Sequence, residues 1–279
     1  MKLKEALSHA KKLLVNHHIE DASLEAEILL RCILEIDRAR LYTELDKDLT
    51  ESQLTKYLNL IERRCQGEPS AYITGHREFY GLDFIVDSNV LIPRPETELL
   101  VEKALEFSGN HQISTIADVG TGCGAIAISL AINLNDVKIY GLDASEKALE
   151  VARENHRKHG VSGKMELLQS DLLKSLPSSV DMIIANLPYI KSSEVPGTGP
   201  VSFEPVMALD GGPSGLAAIE RLCRESVGKI RNNGVLLLEI GQGQADSVKG
   251  LVSQIYPAAN IKVYLDDAGI ERVTGIYLT

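Results

Sequence analysis

After residue 112 the chain alternates short apolar runs with helical segments, and that order admits few folds. The runs are Thr115 to Val119, Val137 to Leu142, Met165 to Leu168, Val180 to Ala185 and Val235 to Ile240. Each is short for a buried helix, and a mostly apolar run of this length suits a strand covered on both faces. Helical segments separate most of them, which predicts an α/β architecture: a doubly wound, Rossmann-like and mostly parallel sheet. The last two runs, Ile261 to Leu265 and Val273 to Leu278, are separated by only seven residues that begin with Asp266-Asp267-Ala268-Gly269. That link is too short for a helical crossover, so the two strands pair antiparallel and bring the expected sheet to seven strands.

The first part of the chain has a different period. From Leu3 to about Gly67 apolar residues recur three and four apart, as in Leu3, Ala6, Leu7, Ala10, Leu13 and Leu14, and again from Ala22 to Leu30. Asp21 to Ser23 followed by Glu25 marks one helix start, and Thr50-Glu51-Ser52-Gln53 has the form of a capping box. Residues 1–70 therefore read as a bundle of about four short helices. The period breaks at Gly67-Glu68-Pro69. Tyr72-Ile73-Thr74-Gly75 and Phe79 to Val86 set aromatic and β-branched residues around glycines, which predicts a hairpin linker over 71–90. Residues 91–279 form the larger domain, entered through Pro93-Arg94-Pro95-Glu96-Thr97-Glu98, a proline-and-acid helix start.

Composition narrows the partners. At 279 residues, 44% hydrophobic and 24% charged, the chain can bury full cores and is neither disordered nor fibrous. Its 29 Lys and Arg against 39 Asp and Glu leave ten net negative charges, which repel a polyanion over most of the surface. Residues 1–75 hold 11 basic and 13 acidic side chains, so most of the excess lies in the larger domain. Cys32, Cys65, Cys123 and Cys223 are widely separated, with no spacing that suggests a disulfide framework or a zinc site. No metal is expected, and the cysteine usage fits a cytoplasmic chain. No signal-peptide core follows Met1, and no run approaches the roughly 18 apolar residues of a membrane helix.

Asp118-Val119-Gly120-Thr121-Gly122-Cys123-Gly124-Ala125 ends the first strand of the larger domain and opens a helix. Glycines there let the backbone turn tightly and approach a ligand, while the helix start offers unpaired N–H groups. The next strand ends at Asp143, where a carboxylate can accept hydrogen bonds from both hydroxyls of an adenosine ribose. Two cofactors fit. Gly120-x-Gly122-x-x-Ala125 satisfies a dinucleotide pattern, whereas Asp118 with glycines at 120, 122 and 124 is spaced as in enzymes that use S-adenosylmethionine. Asp171, after the third strand, falls near the adenine with Leu172 as an apolar wall, or else caps a helix from Leu172 onward.

The fourth strand runs into Asn186-Leu187-Pro188-Tyr189, at the end of the sheet where open α/β proteins bind ligands. An amide or exocyclic amine nitrogen is a poor nucleophile because its lone pair is delocalised, so a site that methylates one must hold it in line with the donor. The Asn186 side-chain oxygen and the Leu187 carbonyl can each accept one N–H and leave the lone pair aimed. Pro188 restricts Leu187 to extended conformations, and Tyr189 offers a flat face to a planar substrate group.

Taken together, these residues resemble the protein-glutamine methyltransferases of the HemK or PrmC type, which modify peptide chain release factors. The resemblance runs along nearly the whole chain: Gly67-Glu68-Pro69 with Ala71 to Gly75, Phe79 to Phe84, Leu91 to Glu98, Phe203-Glu204-Pro205, Ala208 to Gly212 with Gly215-Leu216, and Leu238 to Gly241. Most specific is Leu91-Ile92-Pro93-Arg94-Pro95-Glu96-Thr97-Glu98, because a related ribosomal-protein glutamine methyltransferase carries Ser where Pro95 stands. The resemblance implies a class I S-adenosylmethionine-dependent methyltransferase fold. It implies that Gly120, Thr121, Gly122, Cys123 and Gly124 bind the methionine end of the cofactor, that Asp143 binds the ribose, and that Asp171 and Leu172 flank the adenine. Asn186 would meet cofactor and substrate, and Asn186, Leu187, Pro188 and Tyr189 would hold the glutamine of a Gly-Gly-Gln motif in a class I release factor. The family's usual form there is Asn-Pro-Pro-Tyr; Leu187 replaces the first proline, which frees one φ angle and keeps the carbonyl.

Two other functions compete. Similar Asn-Pro-Pro-Tyr motifs serve adenine N6-methyltransferases acting on RNA or DNA, but those need phosphate contacts and this chain has no dense Lys/Arg stripe. A nicotinamide oxidoreductase would share the glycine loop alone. The expectation is a monomer with a protein substrate, no direct nucleic-acid or membrane partner, a helical bundle that docks the substrate, and His76, His111, His156 and His159 as surface or packing residues.

Overall fold

The computed structural model describes residues 1–278, which divide into two compact units: Met1–His76 with Pro196–Phe203, and Arg77–Val195 with residues 204–278. In the first unit α1 (Leu3–Asn16), α2 (Ala22–Leu34), α3 (Arg38–Thr43), α4 (Glu51–Cys65) and α5 (Ser70–Thr74) bury Ala6, Ala10, Leu14, Leu29, Leu30, Leu41, Tyr57, Ile61 and Ile73 in one core. Those of α1 and α2 are among the three-and-four-spaced residues of the sequence, and Tyr57 is accommodated because its buried hydroxyl donates to the Ala26 carbonyl at 2.9 Å. The capping box at α4 is formed: the Gln53 N–H donates to the Thr50 hydroxyl at 3.2 Å and the Thr50 N–H to the Gln53 side chain at 3.0 Å. At α2 the start falls as expected, but Asp21 is left-handed (φ +50°) and makes no capping bond.

Tyr72-Ile73-Thr74 is the helical turn α5, where β-branched and aromatic content predicts hairpin strand. Ile73 joins the bundle core and Gly75, at φ +76°, stops the helix, so tertiary burial overrides β propensity here. The hairpin itself is β1 (His76–Phe79) and β2 (Leu82–Ile85), turned by Tyr80 and Gly81, both at positive φ (52° and 72°) as a two-residue primed turn requires.

The second unit continues with a 3-10 turn over Pro95–Thr97, α6 (Glu98–Asn110), β3 (Thr115–Val119), α7 (Ala125–Asn133), β4 (Lys138–Asp143), α8 (Glu146–Lys158), β5 (Met165–Gln169) and β6 (Val180–Ala185). It ends with α9 (Val206–Leu209), α10 (Ala217–Glu225), β7 (Ile230–Glu239), α11 (Ala245–Ile255), β8 (Asn260–Leu265) and β9 (Glu271–Tyr277). The seven strands from β3 onward form one sheet in the order β5-β4-β3-β6-β7-β9-β8, parallel except where β9 pairs with β7 and β8. Asp266 holds the last turn by accepting from the N–H groups of Ala268 and Ile270 at 3.0 and 2.9 Å. The strand order reverses between β3 and β6, and the crevice at that switch point is where such sheets bind ligands.

Candidate active site

Register brings the two sequence motifs side by side. Val119 pairs with Ala185, so Gly120 and Asn186, the next residues of adjacent parallel strands, emerge together at the switch point. A cavity of about 360 Å³ opens there, within the second unit and within the range of cofactor sites. Gly120 to Cys123, Asp143 to Ser145, Ser170 to Leu172 and Asn186 to Pro188 all line it, as do Leu91, Pro93 and Thr97.

The glycines have structural causes. Gly120, Gly122 and Gly124 all lie at positive φ, and a Cβ on Gly120 would stand 3.1 Å from Leu187 Cδ2, while one on Gly124 would stand 3.0 Å from Ile128. Beneath the loop, buried Asp118 accepts from the Thr121 hydroxyl at 2.7 Å and the Ala127 N–H at 3.2 Å through one oxygen, Oδ2. Its other oxygen is buried without a partner among the described residues, and burial pushes the carboxyl up to about 7. Asp143 accepts from the Gly122 N–H and the Ser145 N–H, each at 2.9 Å, on separate oxygens. Each oxygen keeps a lone pair for a further donor. Cys123 is buried, and its thiol is pushed up to about 12, so it is a packing residue and no nucleophile.

These residues fit S-adenosylmethionine. The positive-φ cradle, the Asp143 carboxylate and the apolar Leu172 match a ligand with hydroxylated and flat apolar parts. Asp171 lines the cavity, but its carboxylate is 46% exposed and engaged by Lys174 at 2.6 Å and Arg221 at 2.9 Å, which together hold it below the usual carboxylate range. No helix follows it; residues 171–175 form a turn in which Leu172 takes φ +51°.

Asn186 is held from the side. Its Nδ2 donates to the Thr97 hydroxyl at 3.1 Å, and Thr97 in turn donates to Glu239 Oε2 at 2.6 Å. The Asn186 Oδ1 takes no partner among the described residues. Tyr189 differs from expectation. Instead of lining the cavity, its ring packs within 3.1 Å of where a Gly241 Cβ would stand, and its hydroxyl donates to Glu239 Oε1 at 3.4 Å. The Tyr189 carbonyl accepts from Gln244 Nε2 at 3.0 Å. A Cβ on Gly211 would lie 2.7 Å from the Pro188 carbonyl and one on Gly215 2.5 Å from the Tyr189 carbonyl, which is why the segment after α9 is rich in glycine.

Several residues at the site carry no legible role in the sequence. Thr97 and Glu239 lie inside noted motifs, yet nothing local pairs residues so far apart. Asn155 of α8 is a third: its side chain bonds the Ile85 N–H at 2.7 Å, the Ile85 carbonyl at 2.8 Å and the Cys123 carbonyl at 3.0 Å, tying hairpin to glycine loop. Of the histidines, His111 meets the Phe107 carbonyl and His159 the Asp83 carbonyl, both at 3.0 Å.

A switch-point glycine loop, a carboxylate after the next strand and an Asn-x-Pro-Tyr turn on the strand beside it define a class I S-adenosylmethionine-dependent methyltransferase. Solved structures share the fold: the hMettl16 catalytic domain in complex with MAT2A 3'UTR hairpin 1 superposes with a TM-score of 0.59 at 12% identity, over 89% of this chain and 88% of that one. A methyltransferase from Pyrococcus furiosus gives 0.53 at 16% identity, over 71% and 90%. Two family models match, the PrmC N-terminal domain over residues 5–75 and the methyltransferase small domain over residues 95–198. Proteins named release factor glutamine methyltransferase from Moorella thermoacetica and Koribacter versatilis are 42% and 39% identical, each over 98% of this chain and 97% of the relative. The one from Bacillus anthracis is 34% identical over 98% of both. The chain belongs to the release factor glutamine methyltransferase family.

Proposed function

We propose that this chain transfers a methyl group from S-adenosylmethionine to the side-chain amide nitrogen of the glutamine in the Gly-Gly-Gln motif of a class I peptide chain release factor. The observation that carries the reading is the Asn186 amide at the switch point, with its N–H end bonded to Thr97 and its oxygen left for an incoming N–H. When bound, the cofactor supplies a methyl on a sulfonium, whose bonding pair stays on sulfur as the methyl leaves. Asn186 Oδ1 and the Leu187 carbonyl accept the two N–H bonds of the substrate amide, which turns its lone pair toward the methyl. As the nitrogen forms its new bond it gains positive charge, so both acceptors bind the transition state more tightly than the ground state. The excess proton then leaves to water.

Gly120 to Gly124 hold the methionine end of the cofactor, Asp143 the ribose, and Leu172 the adenine face, with Asp171 contributing through its ion pairs at the rim. Pro188 shapes the turn and Tyr189 braces it. The ten net negative charges support a protein substrate over RNA or DNA. Among the described residues no helix is long and apolar enough to cross a membrane, and the location that goes with this substrate is the cytoplasm. The helical unit, residues 1–70 in the sequence reading, docks the release factor; the hairpin of 71–90 leads into the catalytic part at 91–279, and the enzyme works as a monomer. Incubation of the protein with labelled donor and an unmethylated release factor tests the reading: one labelled glutamine is expected, and label in RNA or DNA instead would overturn it.

A further inference from the structure

Asn186 presents a difficulty of its own. The two ends of an asparagine amide are nearly the same size, and a half-turn of the side chain would present N–H donors, in place of an acceptor, to a substrate that itself brings N–H donors. Such a rotamer would abolish the alignment that methyl transfer needs, so the site requires something that tells oxygen from nitrogen.

We propose that Glu239 and Thr97 form a positioning relay that fixes which end of the Asn186 amide faces the substrate. The inference rests on the proposed role of Asn186 and adds to it the two residues that set its orientation. Register supplies the geometry. Ala185 pairs with Leu238 in parallel strands, so the next residues, Asn186 and Glu239, project to the same side, and Thr97 reaches between them from the turn that precedes α6. Thr97 and Glu239 are only 4% and 2% exposed, so water does not satisfy their groups in place of each other.

The logic is one of proton counting. An ionised carboxylate accepts and never donates, so the single Thr97 hydroxyl proton goes to Glu239 Oε2, at 2.6 Å. The Thr97 oxygen is then left with lone pairs only on the Asn186 side. Only the Nδ2 end of the amide completes that contact, at 3.1 Å, and the flipped amide would set two acceptors against each other. The planar amide then has Oδ1 as its remaining arm. Glu239 cannot turn away, because its second oxygen receives the Tyr189 hydroxyl at 3.4 Å. One buried carboxylate thereby anchors both ends of Asn186-Leu187-Pro188-Tyr189. The groups facing it are Thr97, Tyr189, the cation Arg272 and the carboxylate Glu96.

The test uses the full-length protein with Thr97→Val, which keeps shape and removes the hydroxyl, Thr97→Ser, which restores it, and Glu239→Gln. Steady-state methylation of a release factor is read with cofactor binding by calorimetry. Thr97→Val is expected to lower kcat about 100-fold, with KM for the release factor and Kd for the cofactor within about threefold of wild type. Thr97→Ser recovers at least about tenfold of that loss. Equal losses in the Val and Ser variants, or a Val variant with unchanged kcat, would overturn the relay. A second readout needs no substrate: NMR hydrogen exchange of the Asn186 side-chain amide in the free protein, assigned by its absence in Asn186→Asp. Thr97→Val and Glu239→Gln are each expected to speed exchange at least about tenfold, and unchanged exchange would contradict the relay. If wild type leaves release factors unlabelled, the functional reading falls while the exchange data still decide the relay; if Thr97→Val does not fold, Glu239→Gln decides it by the same measurement.

Discussion

The two walls of the cavity, one proposed above to hold the cofactor and the other the substrate, are built in different ways. The wall proposed to hold the cofactor lies between Asp118 and Leu172, and most of its bonds stay within that stretch: Thr121 to Asp118, Gly122 to Asp143, Ser145 to Asp143 and Asn155 to Cys123, with Arg221 on Asp171 as the distant one. The substrate wall is four residues long, and everything that holds it comes from elsewhere: Thr97 before α6, Gly211 and Gly215 before α10, Glu239 at the end of β7, and Gln244 before α11. A loop made of local bonds keeps its shape when one bond is lost. A turn held by distant groups transmits each loss directly to the reacting nitrogen. The substrate wall should therefore be the more fragile in turnover, and the cofactor wall should fail mainly in binding.

The largest expected effect lies at Glu239. Burial pushes its carboxyl up to about 7, with Arg272 and the hydroxyls of Thr97 and Tyr189 countering only part of that. The native state then keeps a proton that the unfolded chain releases near pH 4.5, so stability falls as pH rises from there through about 7, by on the order of 3 kcal/mol. Asp118, also raised to about 7, adds the same trend. Denaturant unfolding across pH 5 to 8 checks this: Glu239→Gln should flatten the slope by about half. Turnover should run the other way, rising in wild type as Glu239 ionises through about 7 and completes the relay, with that step missing in the variant. A carboxylate that lowers stability in the pH range where it acts is a recurrent feature of functional sites.

Next in size, Asn186→Ala should lose about 100-fold in kcat, or 2 to 3 kcal/mol of transition-state stabilisation, while calorimetry finds cofactor affinity within about threefold of wild type. Asp143→Ala reverses the pattern: cofactor Kd should rise about tenfold, by about 1.5 kcal/mol, with kcat at saturating cofactor changed less than about threefold. If both variants fail in the same parameter, the contrast between the walls is wrong. The smallest effect is expected from Leu187→Pro, which restores the family's usual residue. The added rigidity and the lost Leu187 contact with Gly120 oppose each other, so kcat and stability should shift by less than about threefold and 1 kcal/mol.

The same contrast explains what could be read from the chain alone. The runs Thr115 to Val119 and Val180 to Ala185 are the strands β3 and β6 to the residue, because a strand buried on both faces is written as a mostly apolar run, here broken only by Asp118 and Asp181. The glycine loop and Asp143 stand out in the sequence because each ends a predicted strand and carries its own turn chemistry, whatever its partners. From the sequence Tyr189 is expected to face the substrate, but it lies outside the cavity lining and bonds Glu239 and Gln244, 50 and 55 residues away, which no local signal announces. Tyr72 to Thr74 was read as strand for a related reason: its local preference is β, and only the bundle core around Ile73 makes it helical. Thr97 is the clearest case. It is an ordinary threonine in a helix-start motif, and only the fold brings it between Asn186 and Glu239.

The most direct test of the central claim is mass analysis of a class I release factor before and after incubation with the protein and S-adenosylmethionine, in parallel with Asn186→Ala. Wild type should add one methyl group, mapped to the glutamine of the Gly-Gly-Gln peptide, and the variant should add almost none in the same time. A release factor of unchanged mass after treatment with folded, cofactor-binding wild type, or methylation that survives loss of the Asn186 side chain, would contradict the account.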